Sequence, residues 1–430
     1  MSKQKVLIIT YYWPPAGGPG VQRWLKFVKY LSDFEVEPIV YIPENPSYPF
    51  LDEKLAVEVP ANLRILKQPI FEPYKFASLF GGKKVSKISK GIIPEKKQGF
   101  VEKLLLWIRG NLFIPDARKY WIKPSVKLLF NILKTESITT VITTGPPHSM
   151  HLIGYQLKKK LPSVTWIADF RDPWTTIGYH RKLKLTSFAK KKHKKLEKEV
   201  LTNADAIVVT SKTTKTSFEE LTHRPIHVIT NGYDSEEGKK ALQPVQRFSL
   251  AHVGSLLTGR NPEILWECLS ELLKEEQGLA NDLELVLAGE VSREVLDSMH
   301  SYGLKSYIKL LGYISHEKVI DLQQASAVLL LLEINSEYTK CIVPGKLFEY
   351  MRSHRPILAI GPEDWDVYPL IADTNTGSGF TYSEKIELKE KIVSYYHDFK
   401  KGILKTTPVN LNSFHRKSLT AQLAKLIKSS

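Results

Sequence analysis

Short apolar runs of strand length alternate with helical patterns from one end of this sequence to the other, and nothing else in it constrains the fold as much. Residues 5–11 open the series as a strand. A proline- and glycine-rich loop follows, then a helix over 21–31 with Trp24, Phe27, Val28 and Leu31 at helical spacing. Strands at 38–42 and 63–66 come next, and after a basic insert further strands at 140–143, 165–170, 206–210 and 227–229, each following a helical stretch. The stretch 232–246 is polar, carries Pro244 and has no periodicity, so it reads as a linker. A second series then begins, with strands at 250–254, 283–288, 308–311, 327–332 and 356–360. Helices near 262–276, 293–302, 316–324 and 346–352 separate them.

The expected fold is therefore α/β, with two Rossmann-like domains facing each other across a deep cleft. An N-terminal domain spans 1–235, with its basic insert near 71–120, and a C-terminal domain spans 245–405. Residues 406–430 form a tail whose helix, over 413–430, has Leu419, Leu423, Leu426 and Ile427 on one face and is expected to cross back to the first domain. Open α/β sheets take ligands at the carboxyl ends of their strands, so two facing edges make a site for two substrates.

A chain of 430 residues is too long for one hydrophobic core, which agrees with two domains. Cys268 and Cys341, the only cysteines, cannot build a disulfide framework, and no Cys–His zinc pattern is present; a reducing compartment is expected. The apolar runs at 6–10, 104–108 and 328–332 are too short for a bilayer span, and the first soon meets Pro14 and Pro15, unlike a secretory signal. The net charge is +16, with dense patches at 83–97 and 181–198. Such a field attracts nucleic acid, phosphorylated substrates or an acidic membrane, although any single lysine is adequately explained as solvated surface.

Several loops at strand ends carry chemistry. The first holds Pro14, Pro15, Gly17, Gly18 and Gly20, where glycines let backbone amides approach a phosphate or sugar at a helix start. It is not the dinucleotide fingerprint, since Arg23 stands where the third glycine belongs, though Glu44 does end the second strand. A tight turn without a ligand is the plain alternative. The loop from Gly254 to Asn261 has the setting of a Walker A loop, but Arg260 and Asn261 replace its lysine and hydroxyl residue, which argues against an ATPase. Its glycines and Arg260 still suit a diphosphate. Gly345 opens a short helix that should present Lys346 and Glu349 on one side, a cation for diphosphate beside a carboxylate for ribose, or simply a surface pair. His148, after Gly145-Pro146-Pro147, and Asp169, Arg171 and Asp172 all fall at strand carboxyl ends in the first half.

Taken in order, these segments resemble glycosyltransferase family 4 of the GT-B fold group over nearly the whole chain: Pro14–Gly18, Gly145–Ser149, Asp169–Trp174, Asn231–Asp234, Gly254–Arg260, Gly312-Tyr313 and Gly345–Glu349. The resemblance implies transfer from a nucleotide-diphosphate sugar, UDP- or GDP-linked, with retention of configuration and without a metal or other cofactor. By the same resemblance Arg260 and Lys346 neutralise the diphosphate, with Gly254 and Gly345 beside them, Glu349 binds ribose, and backbone near Gly312 and Tyr313 meets the base. His148 and the Gly17-Gly18 loop face the transferred sugar; the acceptor, a glycan or lipid-linked glycan, lies on the first domain near Asp169, Arg171 and Asp172. His148, Arg260 and Lys346 are thus the expected catalytic residues. Cys341 occupies the place of the first of two glutamates the family often carries, so no role passes to that position.

Asp364-Trp365-Asp366 resembles a metal-binding motif of another glycosyltransferase fold, but it lies at a helix start, where capping is the expectation. In the insert, Phe100, Val101, Leu104, Leu105, Ile108 and Leu112 form an apolar helical face flanked by Lys96, Lys97, Lys103 and Arg109. That pattern suits an interfacial helix on an anionic membrane, or equally a helix packed on its own domain. The expected setting is the cytoplasm, peripheral at the inner membrane face, in cell-surface polysaccharide or glycoconjugate synthesis. A nucleotide-sugar epimerase of the same fold, a non-catalytic membrane scaffold and a basic nucleic-acid-binding protein are the alternatives; no nucleic-acid recognition motif supports the last.

Overall fold

The computed structural model describes residues 3–73, 100–178, 180, 183–234 and 245–429. The chain forms two compact units, Met1–Thr230 with Arg416–Ser430, and Asn231–His415. The strands of the first unit are β1 (Gln4–Ile9), β2 (Val36–Pro43), β3 (Arg64–Gln68), β4 (Thr140–Gly145), β5 (Thr165–Phe170), β6 (Ala206–Val209) and β7 (Ile226–Val228). They lie parallel in the order β3-β2-β1-β4-β5-β6-β7. Between them run α1 (Pro19–Leu31), α2 (Phe100–Leu112), α3 (Ile122–Thr135), α4 (Ser149–Lys160), α5 (Ser187–Asn203) and α6 (Lys212–Glu219). Alternate side chains of β1 enter different cores. Leu7 and Ile9 pack with Trp121 and Trp166, whereas Val6 and Ile8 pack with Trp24, Val28 and Leu31. A sheet covered on both faces needs apolar residues at successive positions, which is why its strands read as unbroken apolar runs.

The second unit repeats the plan. Its strands are β8 (Phe248–Val253), β9 (Leu283–Ala288), β10 (Ile308–Gly312), β11 (Val328–Leu332), β12 (Ile357–Gly361) and β13 (Gly377–Thr381), parallel in the order β10-β9-β8-β11-β12-β13. The helices are α7 (Glu263–Glu275), α8 (Leu279–Asp282), α9 (Arg293–Ser301), α10 (His316–Ala325), α11 (Lys346–Arg352), α12 (Val367–Asp373) and α13 (Lys385–Lys400). The last helix, α14 (Arg416–Ser429), packs on α1 in the first unit and buries Leu419, Leu423, Ala424, Leu426 and Ile427. Both sheets reverse direction of winding at their first strand, between β1 and β4 and between β8 and β11, and at such a switch point the flanking loops splay into a crevice.

Two local expectations are corrected, on β13 and on Asp366. β13 carries no apolar run and was not expected as a strand; glycine at 377 is required because a Cβ there would lie 2.1 Å from the Ile357 carbonyl oxygen of β12. On α2 the inward position is Leu106, against Leu183, whereas Leu104 and Leu112 face solvent. Gly110, one turn on, allows that close approach, since a Cβ would meet Leu185 at 2.6 Å. Lys96, Lys97 and the side chains of Phe100 and Val101 lie outside the described residues. Asp366 stands at the N-cap position of α12 but makes no side-chain cap bond; the anchor of that turn is Trp365, buried and donating to the Ile342 carbonyl at 2.7 Å.

Candidate functional site

In the second unit, three strands end at glycines of positive φ: Gly254 after β8, Gly289 after β9, and Gly312 at the end of β10. Their backbones are linked in a row, Gly254 N donating to the Ala288 carbonyl and Gly289 N to the Gly312 carbonyl, both at 2.7 Å. A Cβ on Gly289 would sit 2.5 Å from the Gly254 carbonyl oxygen, so only glycine fits there. The result is a side-chain-free carboxyl edge over three neighbouring strands. Tyr313 projects beyond it into solvent.

Cations gather at one end of this row, at the β8/β11 switch point. Lys346 opens α11, and its Nζ donates to the Val253 carbonyl at 2.8 Å while lying 3.4 Å from His252 Nε2. His252 Nδ1 sits 3.1 Å from the Leu330 carbonyl, which can only accept; Nδ1 therefore carries the proton, and Nε2 turns its lone pair toward the ammonium. Burial, helped by the nearby Arg260 charge, brings Lys346 down to about 7, and burial with Lys346 beside it holds His252 well below the usual histidine range. Arg260 ends a short 3-10 turn and forks onto Glu333, with Nε–Oε1 at 3.1 Å and Nη2–Oε2 at 3.2 Å. Glu333 follows β11 directly and is buried; its Oε1 also accepts from Ile334 N, and its carbonyl accepts from the Tyr382 hydroxyl.

Gly254, Arg260 and Lys346 are thus brought together. Gly345 lies at the N-cap of the same short helix. Glu349, three residues on, is directed to Gln323, whose Nε2 is 3.5 Å away. Cys341 is half-buried in the turn before α11, its Sγ 3.9 Å from the Tyr338 carbonyl. Glu333, His252 and Gly289 escaped the sequence reading. Glu333 had a usable signal: a lone carboxylate straight after an all-apolar strand, the same rule that singles out Asp169.

The first unit has its own switch point, flanked by the loops after β1 and β4. Gly17 is tied down by its N–H to the Phe50 carbonyl, and Gly18, at φ 107, leads into α1, whose start has no side-chain cap. Pro19 has no N–H, and Val21 N and Gln22 N both donate to the Gly18 carbonyl, at 3.1 and 3.2 Å. After β4 the Gly145–Pro146 and Pro146–Pro147 bonds are cis, and His148 follows at the N-cap of α4. The imidazole is 3% exposed and stacks on Trp174 with ring centres 4.7 Å apart. Neither ring nitrogen has a hydrogen-bond partner among the described residues, and burial, followed by the neighbouring histidines His151, His180 and His193 and Arg171, keeps His148 neutral.

Asp169 lies beneath this edge, not on it. It accepts from Arg23 Nη2 at 2.9 Å and from Trp24 Nε1 and Thr144 Oγ1, both at 2.8 Å. Burial pushes its carboxyl up, but the Arg23 charge and these bonds outweigh that and leave it below its ordinary value. These bonds tie Asp169 to α1 and to the end of β4. Arg171 donates to the Pro146 carbonyl and occupies the space a side chain at Gly20 would fill, and its Nε has no partner among the described residues. Burial drives Asp172 upward, with Arg171 opposing. A buried network nearby was not foreseen: Tyr11 donates to Glu72 at 2.7 Å, and Arg118 lies over the Tyr11 ring, 3.3 Å from the same carboxylate.

The molecule thus has two glycine-lined strand edges, one with paired cations and one with a neutral imidazole. Residues 93–237, about a third of the chain, match the model of glycosyltransferase family 4. None of the curated proteins matches the sequence. Among solved structures, sucrose-phosphate synthase from Thermosynechococcus elongatus superposes with a TM-score of 0.63 at 13% identity, covering 99% of each chain. WaaG, a glycosyltransferase involved in lipopolysaccharide biosynthesis, gives a TM-score of 0.57 at 14% identity, covering 99% of this chain and 100% of its own. TarM of S. aureus, in complex with fondaparinux, alpha-GlcNAc-glycerol and UDP, gives 0.56 at 12% identity over 99% of each. The fold is that of the GT-B enzymes. Residues 93–237 are thus similar to glycosyltransferase family 4, and over the whole chain the likeness is one of fold. Among the described residues no helix is long and apolar enough to cross a membrane.

Proposed function

We propose that this protein is a glycosyltransferase that moves a sugar from a nucleotide-diphosphate sugar, UDP- or GDP-linked, to a glycan or lipid-linked acceptor in cell-surface polysaccharide or glycoconjugate synthesis. The observation that carries this reading is the meeting of Arg260 and Lys346 at a glycine-lined switch point. Two cations at a strand edge suit a departing diphosphate, because charge that develops in the transition state is stabilised most where donors are already in place. Arg260 can exchange its fork on Glu333 for one on phosphate oxygens, and Lys346, near 7 in the free protein, gains full charge as the dianion arrives. Glu349 is assigned to the ribose hydroxyls, and the backbone at Gly312 and Tyr313 to the base. The UDP held by TarM supports a nucleoside diphosphate here.

His148, with Gly17 and Gly18, is assigned to the transferred sugar, and Arg171 and Asp172 to the acceptor. Retention of configuration, catalysis without a metal, and a cytoplasmic place at an anionic membrane rest on the family resemblance and on the basic, partly apolar surface of the first unit. Thermal shift with UDP, GDP, ADP and their common sugars tests the donor assignment. One nucleotide should stabilise the wild type, and Lys346→Ala and Glu349→Ala should lose that stabilisation. In turnover, removing Lys346 should lower kcat by about 100- to 1000-fold. No stabilisation by any of these ligands, or stabilisation unchanged in both variants, overturns the assignment.

A further inference from the structure

The rotation of α5 is set by its buried stripe: Ala189, His193, Glu197, Val200 and Leu201 face inward. Everything the helix presents to solvent is therefore dominated by Lys190, Lys191, Lys192, Lys194, Lys195 and Lys198, all exposed. The acids of the helix do little to offset them. Glu197 is turned inward and accepts from Trp174 N and Thr175 N. Glu199 is 4.0 Å from Lys195, a distance at which an exposed pair contributes almost nothing.

The start of α5 is locked to the end of α2. Asn111 Oδ1 accepts from Thr186 N at 2.7 Å and from Thr186 Oγ1 at 2.8 Å, and that hydroxyl in turn caps α5 by accepting from Ala189 N. Around this junction large apolar side chains stand in water: Phe188 is 74% exposed, Leu112 53%, Leu104 47% and Trp107 39%. Exposed aliphatic and aromatic side chains beside a lysine face are the composition of an interfacial anchor, with the rings at the acyl boundary and the ammonium groups among anionic headgroups. Nucleic acid fits less well. Among the described residues the exposed side of α5 has lysines and no arginine, and the aliphatic Leu104 and Leu112 offer bases no ring to stack on.

We propose that the α2–α5 junction docks the enzyme on an anionic lipid surface, with Phe188 and Trp107 as the inserting side chains and the α5 lysines as the electrostatic contact. The inference deepens the reading of a membrane-borne acceptor and moves the contact from the insert alone to α5. Flotation of the full chain with phosphatidylglycerol/phosphatidylcholine vesicles, against phosphatidylcholine alone, tests it. The wild type should bind only the anionic vesicles, with affinity falling as salt rises. Lys191→Glu/Lys192→Glu/Lys195→Glu should bind about 100-fold more weakly, at about fivefold per lysine before counting repulsion. Phe188→Ser should weaken binding while keeping the salt dependence. All these positions are exposed, and thermal unfolding and the nucleotide-induced shift should match wild type in each variant; those readouts report on the donor assignment separately. Absence of vesicle binding by the wild type, equal binding by the charge-reversed variant, or displacement from vesicles by a single-stranded oligonucleotide overturns the proposal.

Discussion

Lys346 is half-buried beside a guanidinium, and its ammonium is held near 7 instead of the ordinary 10.5 because burial, with Arg260 adding to it, penalises the charge. Below about pH 7 the folded and unfolded chains both carry this proton. Between about 7 and 10.5 the unfolded chain keeps it and the folded chain does not, so the unfolding free energy rises with pH in that window. Lys346→Met should abolish this contribution: the wild type should gain on the variant in urea unfolding as pH rises from neutral toward 10, and a constant difference would contradict a depressed lysine. Arg260 and Lys346 were legible in the sequence because each sits at a strand-to-helix turn. Glu333 and His252 were not singled out, since their importance depends on β8 and β11 being neighbours across 74 intervening residues, from Val253 to Val328. Asp169 was legible as a strand-end carboxylate, but not as a buried partner of Arg23, which lies 146 residues earlier.

At the scale of elements, periodicity located the long helices and the fully buried strands, and it failed where packing demanded residues that carry no hydrophobic signal. β13 is the clearest case. Its glycines allow it to lie against β12 and under the Tyr368 ring, so the strand is specified by its neighbours and not by its own propensity. Gly377→Ala would press a methyl against backbone that cannot swing aside and should cost about 1–3 kcal/mol, the usual price of overpacking. Gly379→Ala faces the Tyr368 side chain instead and should cost less, which urea midpoints of the two variants would check. The rotation of α2 could not be read locally for a related reason: Leu106 is turned inward by Leu183, a residue beyond α4 and β5 in sequence.

For the whole molecule, the first unit is completed by the far end of the chain. Leu419, Leu423, Ala424, Leu426 and Ile427 of α14 share a core with Val6, Trp24, Val28 and Leu31. Each buried leucine or isoleucine contributes about 1.5–3 kcal/mol, so a chain ending before Arg416 should lose several kcal/mol from that unit alone. Calorimetry of the truncated chain should show the transition of the first unit shifted down, while that of the second, which has its own sheet and cores, stays in place. Equal shifts of both would show that the helix stabilises more than the unit it packs on. The sequence by itself determined the alternation of strands and helices, and hence a doubly wound class of fold, because burial on both sheet faces writes continuous apolar runs into each strand. It also marked the strand-end loops, because glycine, proline and charge there cannot serve a core. Only the tertiary structure decided which loops meet, which carboxylate answers Arg260, and which face of α2 is left to solvent. Those outcomes follow from strand order and helix rotation, set by contacts between residues far apart in the chain, and no local pattern records them.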